Sequence, residues 1–267
     1  MTKEIVAIIQ ARMTSTRLPG KVLLKIGTKP MLHYVINQVR GSKLIKDIII
    51  VTTNMVQDDV IVKYCKKNKI KCFRGSTSDL LDRYYKCAKK FGNDPIVRVT
   101  SDCPLIDPGV IDKAITKFLK GSSDYVANNL EKQKGKWDNS MCNFPQGMTV
   151  EVSSFKVLEK AWKEAKKPSE REHVFPYIQF HPKLFKVSNF KHPRDLSYIR
   201  CTVDRLEDLQ FVTELYKRFP KNKKFIEIKD IVKAVRKEPD LVKINNKIAF
   251  DEGYQKSLVE DKKMGFK

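Results

Sequence analysis

Several signatures of well-known protein classes are missing from this 267-residue chain. No apolar run approaches the ~20 residues of a membrane helix, and the apolar stretch near the N-terminus is too short for a signal peptide. The six cysteines form no C-x-x-C pair, which argues against zinc-ribbon and thioredoxin-like sites. The four histidines lack metal-ligand spacing, and neither a Ser-His-Asp nor a Cys-His motif is visible. We therefore expect a cytoplasmic protein with reduced thiols and no membrane partner.

Acidic residues are outnumbered, with 31 Asp and Glu against 53 Lys and Arg and a formal net charge of +22. A balance of this kind attracts polyanions. The lysines are nevertheless spread over polar faces and linkers, and no RNA-recognition or zinc-finger pattern interleaves them. We therefore expect a solvated basic surface that favours nucleotides and acidic substrates, with no specific nucleic acid as partner.

Short apolar runs alternate with amphipathic segments in the first half of the chain. Runs rich in isoleucine and valine predict strands at Ile5–Ile9, Asp47–Thr52, Ile70–Phe73 and Ile96–Thr100. Apolar residues at helical spacing predict helices at Met31–Arg40, Asp58–Lys67, Leu80–Phe91, and from the Asp107-Pro108 start to about Leu119. The alternation predicts an α/β fold, with a Rossmann-like, mostly parallel mixed sheet flanked by helices.

The second half of the chain is less regular. Strands are predicted at Asp124–Asn128, Met148–Val152 and Ile199–Val203. Helices are predicted from Ser154 to about Lys166, over Glu170–Phe180, over Leu206–Phe219 after a cap at Asp204, and over Glu227–Lys237. We expect one domain over residues 1–240, with a polar arm at 130–147 and a charged C-terminal extension at 241–267.

The loop after the first predicted strand is the most informative stretch. Residues 10–21 read Gln-Ala-Arg-Met-Thr-Ser-Thr-Arg-Leu-Pro-Gly-Lys, so three cations, three hydroxyls and a glycine follow a strand end. Open α/β sheets bind ligands at this place, and guanidinium, ammonium and backbone amide donors suit a triphosphate. The loop is neither a Walker A motif nor a dinucleotide fingerprint. A basic surface turn, the alternative, matches its position less well.

Two aspartates also stand where predicted strands end. Asp102 lies in Arg98–Pro108, before a proline that fixes the turn, and Asp204 lies in Arg200–Leu209. A carboxylate at either place would suit Mg²⁺, which prefers oxygen ligands and substrate phosphates. Each would equally suit the cap of a turn or helix, and for Asp204 taken alone the cap is the favoured interpretation.

Two further segments leave their roles open. Arg74–Arg83 indicates a strand end, a tight turn and a helix start, whose hydroxyls and Asp79 either cap the helix or contact a nucleobase edge. Glu170–Tyr177 is either a capped helix with a proline kink or, through His173, a site for an acidic substrate. Cys103 is interpreted as a packing residue.

Together these five segments resemble the CTP-transferase family that includes the 3-deoxy-manno-octulosonate and acylneuraminate cytidylyltransferases, in the branch of the spore-coat polysaccharide biosynthesis protein F. The matching segments are Gln10–Lys21, Arg74–Arg83, Arg98–Pro108, Glu170–Ile178 and Thr202–Leu209. The resemblance implies a fold of the nucleotide-diphospho-sugar transferase type, a homodimer, and transfer from CTP to a small-molecule acceptor with Mg²⁺ as cofactor. The octulosonate enzymes carry Gly-Asp-Glu-Pro where this chain has Ser-Asp-Cys-Pro, a departure that removes a carboxylate.

The resemblance also implies roles for single residues. The implied nucleotide-binding residues are Ala11, Arg12, Ser15, Arg17, Lys21, Arg74, Ser76, Asp79 and Arg83. Apart from the resemblance, Arg171 and His173 are the candidate substrate-binding residues, from the interpretation of their segment as a site for an acidic substrate. Arg12, Lys21 and Asp102 are the implied catalytic residues. Asp102 and Asp204 match the aspartates that coordinate Mg²⁺.

The sequence leaves three alternative hypotheses for the function. In the first, an acceptor hydroxyl or phosphate attacks the α-phosphorus of CTP, which gives a CMP- or CDP-activated sugar, sugar acid or polyol and pyrophosphate. The second is the same chemistry with another nucleotide and a sugar 1-phosphate. The third is a non-catalytic polyanion-binding protein of the same fold, which the net charge favours and the loop cations and both aspartates disfavour.

Overall fold

The computed structural model of the chain describes residues 4–129, 143–220, 222–249 and 251–266. The strands in these residues are β1 (Val6–Gln10), β2 (Lys25–Ile26), β3 (Lys29–Pro30), β4 (Asp47–Thr53), β5 (Lys71–Gly75), β6 (Ile96–Thr100), β7 (Tyr125–Ala127), β8 (Glu151–Ser153) and β9 (Val187–Asn189). The helices are α1 (Met31–Arg40), α2 (Asp59–Lys67), α3 (Leu80–Phe91), α4 (Pro108–Leu119), α5 (Phe155–Glu164), α6 (Pro168–His173), α7 (Pro176–Gln179), α8 (Leu206–Arg218), α9 (Ile228–Lys237) and α10 (Glu252–Lys263). None of these helices has the length and apolar character needed to cross a bilayer.

Seven strands form one sheet in the order β5-β4-β1-β6-β8-β7-β9, and β2 and β3 form a separate two-stranded hairpin. The strands β1, β4, β5 and β6 pair in parallel, whereas β8 runs antiparallel to both β6 and β7. A helix follows β4, β5 and β6, and α1 follows β1 after the hairpin. The mostly parallel mixed sheet confirms the predicted α/β fold.

Alternate residues of β1 face two separate apolar cores. Ala7 and Ile9 pack in the core that includes α1, α4 and α8, and Val6 and Ile8 pack in the core that includes α3 and α5. Helices therefore cover both faces of the sheet. Burial on both faces explains why this strand is a continuous apolar run rather than an alternating one.

The order of the strands creates a crevice beside β1. From β1 the chain proceeds outward to β4 and β5, and then returns to β6 on the other side of β1. Loops that leave the adjacent carboxyl ends of such strands turn in opposite directions, so a crevice opens between them. Residues 11–20 and 101–107 form these two loops.

The predicted strand at Ile199–Val203 is wrong. Arg200 forms a single bridge with Gln146. The amide of Val203 then donates to the carbonyl of Asp102 at 2.8 Å. The segment is therefore not a strand of the sheet and lies against the loop after β6. Local sequence does not reveal this contact.

The predicted helix at Glu170–Phe180 is two short helices, α6 and α7. Val174 lies between them with a φ of 74°, which is incompatible with a right-handed helix. Pro176 lacks the amide hydrogen that a continuous helix would need at that position.

The ends of the predicted domain are only partly described. Of the predicted arm at 130–147, residues 130–142 lie outside the described residues. The charged extension from residue 241 contains α10, which packs against α6. Ser169 donates its amide and its hydroxyl to the buried carboxylate of Asp261, at 2.9 and 2.5 Å. The extension therefore packs against the rest of the domain through α6.

Candidate active site

A cavity of about 880 Å³ lies in the crevice between the loops after β1 and β6. The sequence-predicted site residues that line it are Ala11, Arg12, Ser15, Arg17, Lys21, Asp79, Arg83, Asp102, Arg171, His173 and Asp204. All five segments that carry the family resemblance therefore contribute to one cavity, although they are far apart in the chain.

Lys21 lies between the two predicted metal aspartates. Its Nζ donates to Asp102 Oδ2 at 3.0 Å, to Asp204 Oδ1 at 2.8 Å and to the Val203 carbonyl at 2.9 Å. Gly20, with a φ of 69°, turns the chain immediately before Lys21, in a backbone region that favours glycine. One buried ammonium thus contacts both carboxylates.

Lys21, Asp102 and Asp204 keep one another charged. Burial alone would lower the pKa of Lys21, but the two carboxylates outweigh it and raise that pKa. Burial would raise the pKa of Asp102, yet the Lys21 ammonium and hydrogen bonds lower it below the ordinary value. The pKa of Asp204 is also lowered, against burial and the repulsion of Asp102, by Lys21 and a second hydrogen-bonded cation. One ammonium thus lies between two carboxylates at neutral pH.

Asp204 does not cap helix α8, contrary to the interpretation that the sequence alone favours. Asp208 does so instead, because its Oδ2 accepts the amides of Asp204 and Arg205 at 2.9 and 3.0 Å. Arg200 donates Nε to Asp208 at 2.8 Å and Nη2 to Asp204 at 3.1 Å. The carboxylate of Asp204 is thereby free of the cap and points to the ammonium of Lys21.

The two arginines of the loop after β1 also have carboxylate partners. Arg17 Nη2 lies 2.5 Å from Asp204 Oδ1, and Arg12 Nη2 lies 2.8 Å from Glu172 Oε1. Their side chains are 29% and 40% exposed. Both guanidiniums therefore line the cavity with part of their surface open to a ligand.

Asp58, which the sequence did not single out, anchors the same loop. Its buried carboxylate accepts the amide of Met13 at 2.7 Å and the amide of Thr53 at 3.1 Å. Within the loop, Ser15 Oγ accepts the amide of Leu18 at 3.4 Å. The loop is thus fixed to β4 and held in a turn that presents its amides and hydroxyls.

Asp102 and Asp204 suit a Mg²⁺ ion. The described part of the chain contains no cluster of three or more histidine, cysteine, aspartate or glutamate side chains placed to hold a metal. Mg²⁺ commonly binds one or two carboxylates and completes its shell with waters and substrate phosphates. Two ionised carboxylates that line a cavity beside a basic loop match that donor set.

Arg74 and Ser76, two of the residues predicted to bind the nucleotide, do not line this cavity. Arg74 donates to Asp59 at 2.6 Å and to the Thr53 carbonyl at 2.9 Å. These acceptors lie at the end of β4 and the start of α2, and they hold the guanidinium in contacts outside the cavity lining. Ser76 Oγ accepts the Asp79 amide at 3.2 Å and shapes the turn before α3.

Asp79 caps helix α3, as one of the two interpretations predicted. Its Oδ1 accepts the Asp82 amide at 2.9 Å, and its Oδ2 accepts from Arg171 Nε at 2.9 Å.

Arg83 is 1% exposed and donates Nε and Nη2 to the Ser76 carbonyl at 2.9 and 2.6 Å. Burial and a neighbouring guanidinium lower its pKa. Arg83 thus supports the turn as well as lining the cavity.

His173 faces the C-terminal helix. Its Nε2 is 3.0 Å from Ser257 Oγ, and its ring meets that of Tyr254 edge-on, with 4.9 Å between the ring centroids. Burial and nearby arginines, of which Arg98 has the largest effect, lower the pKa of His173 to about 3. The ring is therefore neutral at neutral pH. It can orient a substrate by hydrogen bonding but does not attract an acidic one by charge.

Helix α10 forms a wall of the cavity that the sequence did not reveal. Glu252 pairs with Arg205 at 2.9 Å. A Cβ atom on Gly253 would lie 3.3 Å from Arg17 Nη1, so the helix start packs closely on the basic loop. The C-terminal extension is charged and contains no recognisable motif, so its sequence does not show that it lines the cavity.

Arg98 and Glu151 form an ion pair that also lines the cavity and was missed. The sequence signal that could have revealed it was a charged residue inside the apolar run that forms β6.

The structure is consistent with the interpretation of Cys103 as a packing residue, since this side chain is 4% exposed and burial raises the pKa of its thiol. Its Sγ lies 3.1 Å from Thr100 Oγ1.

Known proteins share this sequence pattern. The cytidylyltransferase family matches residues 6–255 of the chain. An uncharacterized protein of Methanocaldococcus jannaschii is 38% identical over 247 residues, which cover 92% of this chain and 96% of that protein. The spore coat polysaccharide biosynthesis protein SpsF of Bacillus subtilis is 32% identical over 222 residues, which cover 80% of this chain and 87% of SpsF.

Solved structures share the fold. A cytidylyltransferase from Leptospira borgpetersenii superposes with a TM-score of 0.83 and 32% identity, over 92% of this chain and 99% of that one. CMP:2-keto-3-deoxy-manno-octonic acid synthetase complexed with CTP has the same fold, with a TM-score of 0.60 and 16% identity over 80% of this chain and 99% of that one. This chain belongs to the cytidylyltransferase family and is a nucleotidyltransferase.

Proposed function

We propose that the protein transfers CMP from CTP to a small-molecule acceptor in a Mg²⁺-dependent reaction that supplies polysaccharide or glycan synthesis. An acceptor oxygen attacks the α-phosphorus, the bond from that phosphorus to the bridging oxygen of the β-phosphate breaks, and pyrophosphate leaves. A hydroxyl acceptor gives a CMP-linked product, and a phosphate acceptor gives a CDP-linked one. The name of the B. subtilis relative and the CTP complex of the structural neighbour support this reaction.

The contact of one ammonium with two carboxylates carries the proposal. Lys21 joins Asp102 and Asp204 where the chain order of the sheet reverses. Arg12 and Arg17 lie on the adjoining loop with open guanidinium surface. A triphosphate needs such a combination, with cations for its oxygens and carboxylates for the metal that accompanies it.

The residues act mainly by position and charge. Arg12, Arg17 and Lys21 bind the phosphates and stabilise the charge that develops on the leaving pyrophosphate. Asp102 and Asp204 would hold Mg²⁺, which would neutralise phosphate charge and polarise the α-phosphate when bound. The low pKa values of both aspartates keep them ionised for this role. The homodimer that the resemblance implies stays a prediction.

Pyrophosphate release tests the proposal. The assay supplies CTP, MgCl₂ and a panel of sugars, sugar acids, polyols and their phosphates. We expect turnover with one acceptor class and a loss of roughly 10²-fold or more in Asp102→Asn. Asp240→Asn is the control, because the Asp240 side chain is 84% exposed and lies outside the cavity. Full turnover in Asp102→Asn would overturn the assignment of the aspartates.

A further inference from the structure

A buried ion pair lies in the cavity and has no task in the reaction described above. Arg98 on β6 and Glu151 on β8 are directly opposed in an antiparallel pair, so both side chains leave the same face of the sheet. Each residue is 9% exposed and lines the cavity. Arg98 Nη1 donates to Glu151 Oε2, and the Tyr125 hydroxyl donates to Glu151 Oε1 at 2.7 Å. Strand register and a third residue therefore fix the pair.

The guanidinium of Arg98 has donors to spare. A guanidinium carries five N–H groups. Within the described residues, Arg98 uses Nη1 for Glu151, and its buried Nε has no partner. The guanidinium also lies 5.9 Å from the centroid of the Tyr84 ring, which stabilises its charge but accepts no full hydrogen bond. Nε is itself closed off from solvent, so the donors that a ligand in the cavity could reach are the remaining N–H groups on the two Nη atoms.

The pair is placed to meet the acceptor rather than the triphosphate. Arg98 lies two residues before the end of β6, about 7 Å along the strand, and Asp102 follows two residues into the next loop. Thr100 lies between them and lines the same cavity. The triphosphate cations Arg12 and Lys21 come from the other loop of the crevice. An acceptor that attacks the phosphate near Asp102 can therefore extend towards Arg98.

The charge of the pair selects the chemistry of its ligand. Glu151 neutralises Arg98 and would repel a second carboxylate or a phosphate. The spare N–H groups of the guanidinium and the oxygens of the carboxylate together donate and accept hydrogen bonds. Two neighbouring hydroxyls match that set, since each can accept from the guanidinium and donate to the carboxylate.

We propose that Arg98 and Glu151 bind a vicinal diol of the acceptor and thereby select a polyhydroxylated sugar or polyol. The inference rests on the proposed function. It places the neutral, hydroxyl-bearing part of the acceptor at this pair and assigns any anionic group of the acceptor to another part of the cavity.

Two variants separate this role from a purely structural one. Glu151→Gln keeps the shape and removes the charge, and Arg98→Lys keeps the charge and removes the planar fork. With the best diol-bearing acceptor of the panel, we expect the KM for the acceptor to rise about tenfold or more in each variant. The KM for CTP should stay within about twofold. Arg218→Lys is the control, because Arg218 is ion-paired to Glu238 outside the cavity and should leave both KM values unchanged.

Deoxy analogues of the acceptor supply the second readout. Replacing either hydroxyl of the diol by hydrogen should lower kcat/KM of the wild type about tenfold or more, and should cost Glu151→Gln much less. Equal losses in wild type and variant would contradict the subsite. If Glu151→Gln does not fold, as judged by circular dichroism, Arg98→Lys carries the same comparison.

The outcomes also separate this inference from the proposed function. Absence of CTP binding to the wild type, measured by its thermal shift, would mean that the proposed function fails. CTP binding with turnover only of acceptors that lack a diol would overturn the subsite and leave the proposed function standing. CTP binding without turnover or a thermal shift from any diol-bearing compound would also overturn the subsite.

Discussion

Asp208 Oδ2 accepts the backbone amide of Asp204 at 2.9 Å. Asp208 is fully buried, and its Oδ1 accepts from Arg200 Nε at 2.8 Å. Arg200 in turn donates to Asp204 Oδ2 at 3.1 Å. The aspartate that faces Lys21 is therefore held through both its amide and its carboxylate by one buried ion pair.

Asp208→Ala should destabilise the fold and slow the reaction. It leaves the Arg200 guanidinium buried without its main partner, so we expect the free energy of unfolding to fall by about 3–5 kcal/mol. Turnover of the folded variant should fall because Asp204 loses its orientation. Urea denaturation and pyrophosphate release measure the two effects. Glu207→Ala, which removes an exposed acid from the preceding position, should stay within about 0.5 kcal/mol of the wild type. Equal losses in the two variants would contradict a specific role for Asp208.

Lys21→Met should make the protein more responsive to Mg²⁺. The substitution leaves two carboxylates without their shared cation, which should destabilise the metal-free protein by about 1–3 kcal/mol. Added MgCl₂ should then raise the Tm of the variant more than that of the wild type, because the ion no longer competes with an ammonium. Thermal unfolding in EDTA and in MgCl₂, without nucleotide, measures this difference. Lys29→Met removes an exposed cation and serves as control. An identical magnesium response in Lys21→Met and wild type would argue against metal binding by the two aspartates.

His173 should make stability depend on pH below neutrality. Burial and nearby arginines lower its pKa from the ordinary 6.5 to about 3, so the unfolded chain takes up the proton more readily than the folded one. Stability from this group is complete above about pH 6.5 and is lost progressively as the pH falls towards about 3. We expect the wild type to lose more unfolding free energy than His173→Gln between about pH 7 and about pH 5. His192→Gln, outside the cavity, should follow the wild type. Parallel curves for wild type and His173→Gln would refute the assignment.

Asp261→Ala should release helix α10 from α6. The buried carboxylate of Asp261 accepts two hydrogen bonds from Ser169, so we expect a loss of about 1–3 kcal/mol of stability. Hydrogen exchange over residues 252–263 should accelerate, and CTP affinity should fall because the helix forms a cavity wall. Lys262→Ala, an exposed neighbour, tests whether any change in the helix has the same effect. Unchanged exchange in Asp261→Ala would show that other contacts hold the helix.

The first half of the fold could be predicted because its signals are local. Met31–Arg40 and Leu80–Phe91 were predicted with the observed ends, since each is an amphipathic run bounded by Pro, Gly or a capping Asp. The errors in the second half arise from distant partners. The run around Ile199 is as apolar as a strand, but it contacts the loop after β6. Val174 has a positive φ that no property of the side chain predicts.

The candidate site could be predicted as a set of residues but not as a set of contacts. Cations and hydroxyls in one loop identified Arg12, Arg17 and Lys21 as candidate phosphate ligands. The contacts of Lys21 with its two aspartates span 81 and 183 positions in the chain, so no local pattern records them. The same holds for the Arg98–Glu151 pair, which depends on strand register, and for α10, which depends on the buried contact with α6.

Binding of CTP in the crevice is tested most directly by thermal unfolding of the wild type with CTP, UTP, GTP or ATP, each with MgCl₂. A ligand that binds only the folded state stabilises it by ~2.7 kcal/mol at a hundredfold excess over its Kd. We predict that CTP raises the Tm and that the other nucleotides do so much less. A larger shift with another nucleotide, or no shift with any of them, would contradict the assignment of this crevice to CTP.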